Sequence, residues 1–126
     1  MSGVVGVGID LVSVERLASA LSRRPGLAQR LFTEHERGAS RGARADERLA
    51  ARFAAKEATM KALGVGLGAF ALRDVEVRTA EDGRPTLALH GAAHELAVAR
   101  GAVGLSVSLS HAAGLATAVV VAQGAP

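Results

Sequence analysis

The spacing of apolar and polar positions along the chain changes period several times, and each change marks an element. Residues 4–9 form a β-branched run interrupted by glycines, the pattern of a buried strand, and its end is expected at Asp10. From Ser13 the period lengthens. Val14, Leu17 and Leu21 recur at helical spacing and stop before Pro25 and Gly26, while Arg16, Arg23 and Arg24 occupy the other face of that helix. Residues 27–32 read as helical or irregular, and Thr33 with Glu36 has the form of a capping box opening a short helix. Residues 38–45 are small, rich in Gly and Arg and aperiodic, hence a loop. The most legible element runs from Asp46, as N-cap, to Gly64, as the residue just past the C-cap. Leu49, Phe53, Met60 and Leu63 form its apolar stripe, and strong helix formers fill nearly every other position.

After a break at residues 64–68, two strand-like runs follow at residues 74–79 and 86–90, joined by a turn containing Asp82-Gly83. Residues 91–100 return to helical spacing. Leu105 to Leu109 alternates Leu and Val with Ser106 and Ser108, and residues 115–122 are a nearly continuous apolar strand, with a turn at residues 111–114 between them. Strand, helices, strands, helix, strands is the order of an α+β fold.

A chain of 126 residues that is 49% hydrophobic can build one core, so a single domain over residues 1–126 is expected. It has no cysteine, which excludes disulfides and thiolate zinc sites, and its four histidines are too scattered for a His-only metal site. No run approaches the ~20 apolar residues of a membrane span, and no charged segment precedes the first apolar run, so a soluble, cytoplasmic protein is expected. Aromatics are 2% of the chain, too few to stack single-stranded nucleic acid. The net charge of +3 asks for an acidic partner without choosing among nucleic acid, anionic membrane and acidic protein. Lys56 and Lys61, the only lysines, lie in the long helix.

Candidate chemistry gathers around that helix. Glu57 and Lys61 stand four residues apart on one face, either an ordinary ion pair or part of a site. Asp10, at the end of the first strand, is either a turn aspartate or a carboxylate projecting into a cleft. His111 follows Ser110 without the strained elbow that a Ser-His nucleophile needs. The early glycines do not make a dinucleotide fingerprint, because G-x-G-x-x-G from Gly6 would require glycine where Leu11 stands, and no phosphate-loop pattern is present.

Taken together, GVGIDLVSVER, RLFTEHE, RFAAKEATMKALG, GRPTLALHG and VSLSHAAGLATAVV resemble the small bacterial holo-acyl-carrier-protein synthases, a branch of the 4′-phosphopantetheinyl transferases. The match runs over nearly the whole chain. The strand ending in G-I-D and the motif F-x-x-K-E-A-x-x-K-A-x-G from Phe53 to Gly64 carry it. The resemblance implies a small domain with a mostly antiparallel sheet packed against a long helix. It implies Asp10 and Glu57 as ligands of Mg²⁺ and Lys61 as a catalytic contact to the pyrophosphate of coenzyme A; the general base is then expected to be Glu57, directly or through a metal-bound water. Arg52, Gly64 and His111 would join Lys61 in binding coenzyme A. The partner would be an acidic acyl carrier protein docking on Arg16, Arg23 and Arg24, rather than nucleic acid or membrane, and the assembly a homotrimer. The alternative is a non-catalytic basic binding module on the same fold. Ala112 departs from relatives that carry aspartate after the histidine, which removes one candidate acid or base.

Overall fold

The computed structural model describes residues 3–126. In chain order they form β1 (Val4–Ser13), α1 (Val14–Arg23), α2 (Leu27–Leu31), α3 (Glu34–Ala39), α4 (Ala45–Ala62), a 3-10 turn (Leu72–Asp74), β2 (Val75–Thr79), β3 (Pro85–Leu89), α5 (Gly91–Ala99), β4 (Gly104–Ala112) and β5 (Leu115–Gln123). The α+β reading holds, with every strand pair antiparallel. The strands divide into two sheets: a three-stranded sheet in the order β1-β5-β4, and the separate hairpin β2-β3.

Helix α4 lies across one face of the larger sheet, and glycine sets how closely. A Cβ at Gly6 would overlap the carbonyl oxygen of Ala62, and one at Gly8 that of Ala58. The early glycines thus let helix backbone rest on strand backbone. Helix α4 is buried nearly all round, through Ala50, Ala51, Ala54, Ala55, Ala58, Met60 and Ala62, so its narrow stripe of large residues understates its packing. Alanine gives no amplitude to a hydrophobic pattern, yet it permits close approach on every side. One core lies between α4, the sheet, the β2-β3 hairpin and α5, and a second holds Leu17, Phe32, Ala50, Ala51 and Ala116 beneath α1.

Several boundaries move, each for a local reason. β1 continues past Asp10 to Ser13 because β5 pairs with it throughout, Asp10 opposite Ala118 and Ser13 opposite Leu115. Helix α4 begins at Ala45 with Arg44 at the cap, rather than Asp46. Asp46 and Glu47 instead occupy the first turn, where carboxylates suit the helix dipole. The capping box forms as expected, Thr33 Oγ1 accepting from the Glu36 amide and Glu36 from the Thr33 amide, but its helix runs on to Ala39. His111 belongs to β4 and not to a turn, because the hairpin closes over Ala113 and Gly114 alone, both at positive φ (54° and 78°). Asp74 lies in the 3-10 turn before β2.

Candidate functional site

Three of the expected residues meet at the C-terminal half of α4. Asp10 points from β1 to the helix side of the sheet, and Lys61 Nζ donates to Asp10 Oδ1 at 3.2 Å and to the Ile9 carbonyl at 2.9 Å. Thr117 Oγ1 donates to the Asp10 carbonyl at 2.7 Å and fixes the backbone there. Lys61 therefore pairs with Asp10 across the fold rather than with Glu57 along the helix. Burial raises the proton affinity of the Glu57 carboxyl, and the Asp10 charge raises it further, while Lys61 works the other way. Two carboxylates and one ammonium thus share a small space. Among the described residues no third histidine or carboxylate completes a protein-only metal site.

Gly64, just past the end of α4 with φ 75°, continues this region. With Lys61, Val5, Gly6 and Arg100 it lines a cleft of about 390 Å³. Arg100 went unnoticed in the sequence, since nothing in its local pattern connects α5 to α4.

Arg52 and His111 lie elsewhere, around the N-terminal half of α4. They line a cavity of about 200 Å³ together with Arg44, Glu47, Arg48 and Ser110. Arg44, Arg48 and Arg52 recur every fourth residue, so their common face was legible in the sequence. Arg52 is 8% exposed and its Nε is buried without a hydrogen-bond partner, while Nη1 donates to the Arg48 carbonyl at 3.3 Å. A buried N–H of that kind is costly unless an acceptor arrives, and an anion would be such an acceptor. Glu47 and Glu57, which mark the two regions, are about 15 Å apart along the helix by its rise per residue.

Arg16, Arg23 and Arg24 are all exposed along α1 and its C-cap. Lys56 turns away from these regions into the core, where it is 0% exposed. Its Nζ donates to Glu36 Oε1 at 2.7 Å, to the Leu72 carbonyl at 3.1 Å and to the Val75 carbonyl. Its partner network was only half visible in the sequence, as the capping box that holds Glu36.

A family model described as the 4′-phosphopantetheinyl transferase superfamily matches residues 6–120. The holo-[acyl-carrier-protein] synthase of Salinispora arenicola is 52% identical over 121 residues, 95% of this chain and 98% of that one. The protein of the same name from Frankia alni is 49% identical over 95% of this chain and 98% of its own. Among solved structures, the Helicobacter pylori holo-[acyl-carrier-protein] synthase in complex with coenzyme A superposes with a TM-score of 0.82 at 31% identity, covering 93% of this chain and 99% of that one. The fold, the order of motifs and end-to-end relatives of this similarity agree, and the chain belongs to the holo-[acyl-carrier-protein] synthases of the 4′-phosphopantetheinyl transferase superfamily.

Proposed function

We propose that this protein, as one catalytic domain, transfers the 4′-phosphopantetheine arm of coenzyme A to a serine hydroxyl of an acidic apo acyl carrier protein. Adenosine 3′,5′-bisphosphate is released. The observation that carries the reading is the meeting of Asp10, Glu57 and Lys61, two mutually repelling carboxylates and a cation, from elements distant in sequence.

The donor set fits magnesium, which takes one or two carboxylates together with phosphate oxygens and water. Asp10 and Glu57 would hold it, and it would supply neutralisation of charge on the pyrophosphate. Lys61 spends two donors on Ile9 and Asp10 and keeps one N–H for a phosphate oxygen. Glu57, its proton affinity raised, is suited to accept the serine proton. The serine oxygen forms its bond to the β-phosphorus as the bond from that phosphorus to the bridging oxygen breaks, and the bridging oxygen leaves with the bisphosphate. Arg52 and His111 supply further phosphate contacts, and Gly64 lets the chain turn beside Lys61.

Arg16, Arg23 and Arg24 form the docking face for the carrier, steering encounter by charge. Charge reversal at Arg23 and Arg24 should raise the KM for the carrier and leave that for coenzyme A unchanged. A homotrimer with sites at its interfaces accounts for two further features. The sheet face away from α4 leaves Val7, Ile9 and Leu11 exposed at 58%, 63% and 62%. The two halves of the site are also too far apart along one α4 to grip a single pyrophosphate, whereas a neighbouring copy on that face could bring them together. Light scattering should give three times the chain mass, and Ile9→Lys should lower it. A cytoplasmic setting goes with these substrates.

The test is the intact mass of an apo acyl carrier protein after incubation with this protein, coenzyme A and Mg²⁺. One added phosphopantetheine with the parent, and none with Asp10→Ala or Glu57→Ala, supports the reading. No addition, from a folded sample that does not bind coenzyme A, overturns it in favour of a non-catalytic module.

A further inference from the structure

The cavity at the start of α4 holds an apparent contradiction. Three arginines and a histidine line it, which suits an anion, yet Glu47 lines it too. That carboxylate is paired with none of the arginines. Glu47 Oε2 lies 2.7 Å from His111 Nδ1, with the Glu47 side chain 36% exposed and that of His111 44% exposed. Arg48 and Arg52 use their nearest donors on backbone carbonyls, Arg48 on Arg41 at 2.8 Å and Arg52 on Arg48 at 3.3 Å.

We propose that Glu47 is a positioning residue, which holds the His111 ring by Nδ1 so that Nε2 is presented to a phosphate group of coenzyme A in this cavity. The inference rests on the functional reading above and assigns this second region of the site a specific arrangement. A carboxylate on one ring nitrogen fixes which nitrogen carries the proton and which way the ring faces. With Nδ1 in ion-pair contact with the Glu47 carboxylate, Nε2 is the nitrogen left for a ligand, and in the imidazolium form it is an N–H donor to phosphate oxygen. The supports come from two elements: Glu47 is in the first turn of α4 and His111 is near the end of β4. Arg52, whose Nε is buried without a hydrogen-bond partner, lines the same cavity and adds a cation to it. Coenzyme A carries phosphate at its pyrophosphate and at the 3′ position, and either has the required chemistry.

The sign of the effect separates positioning from simple electrostatics. Removing a negative charge beside an anion site should tighten coenzyme A binding if Glu47 acts only through its charge. If it orients His111, Glu47→Ala should raise the KM for coenzyme A by about tenfold, with the change falling on KM more than on kcat and the melting temperature held. Glu47→Gln, which keeps the size and polarity of the side chain beside Nδ1 without its charge, should recover part of the loss. His111→Ala should produce a similar rise, and the double variant should be no worse than either single one. Repeating the measurements with dephospho-coenzyme A identifies the phosphate: a KM that no longer responds to Glu47→Ala assigns the 3′ group, and an undiminished response assigns the pyrophosphate. A KM unmoved or lowered by Glu47→Ala, or effects that add fully in the double variant, overturns the inference alone. Failure of the parent to bind coenzyme A overturns the functional reading and the inference together.

Discussion

The two lysines of α4 stand five residues apart in one motif and have opposite fates. Lys56 is completely buried, and its three donors are taken by Glu36, Leu72 and Val75. Glu36 is likewise filled, by the Thr33 amide and Lys56 at one oxygen and by the Val77 amide at the other. Lys61 has a side chain 54% exposed, bonds weakly to Asp10, and keeps a donor for a ligand. Partner saturation, more than residue type or motif membership, distinguishes a charge enclosed by the fold from one with a donor still free. A buried ion that satisfies every neighbour has nothing left for substrate.

Breaking the structural half of this comparison should give the largest effect. Lys56→Ala leaves the Glu36 carboxylate buried without its cation, and denaturant unfolding should show a loss of about 3–5 kcal/mol.

Acid should weaken the same buried network. Burial works to raise the Glu76 carboxyl, but hydrogen bonds from Thr33, Arg78 and His90, with the Arg78 charge, outweigh it and hold the pKa down to about 2, from 4.5. A carboxylate with a depressed folded pKa contributes stability that is full above its unfolded value and is lost as pH falls through the folded one. Stability should therefore decline between pH 4.5 and about 2, by roughly 3 kcal/mol from this group. Glu76→Gln should flatten that decline in pH-dependent melting.

Breaking the working half should cost activity and leave stability. Lys61→Ala should reduce phosphopantetheine transfer by about a hundredfold, the usual scale for removing one donor to developing charge. Its unfolding free energy should stay within about 1 kcal/mol of the parent, as expected for an exposed pair.

The smallest effect on stability sharpens the contrast by its sign. The Glu57 carboxyl has a raised proton affinity, from burial first and from Asp10 second, so its ionised form at neutral pH opposes folding of the metal-free protein. Glu57→Gln should raise the thermal midpoint of the metal-free protein slightly while abolishing transfer. A lowered midpoint would mean that Glu57 is structurally required after all.

Much of this was readable in the residues. The capping box at Thr33 and Glu36, the helix over the motif, the β5 strand and the α1 arginine face follow from local periodicity and capping chemistry, which need only neighbours in sequence. The resemblance supplied Asp10, Glu57 and Lys61, and the fold brings these three together. The same local rules misplaced the end of β1, whose partner strand is more than a hundred residues away at Asp10, and put His111 in a turn, although it pairs with Ala116 because the hairpin needs only Ala113 and Gly114 to close.

By itself, then, the sequence determined the element types, the early glycines that permit close packing, and which residues could carry charge. Tertiary structure decided which charges meet. Lys61 turned to Asp10 and not to Glu57, Lys56 was enclosed by a capping carboxylate twenty residues away, and Glu47 found His111 across the fold. The physical reason is range: capping and periodicity act within a turn or two of chain, whereas pairing and desolvation depend on whatever the fold sets within a few ångströms.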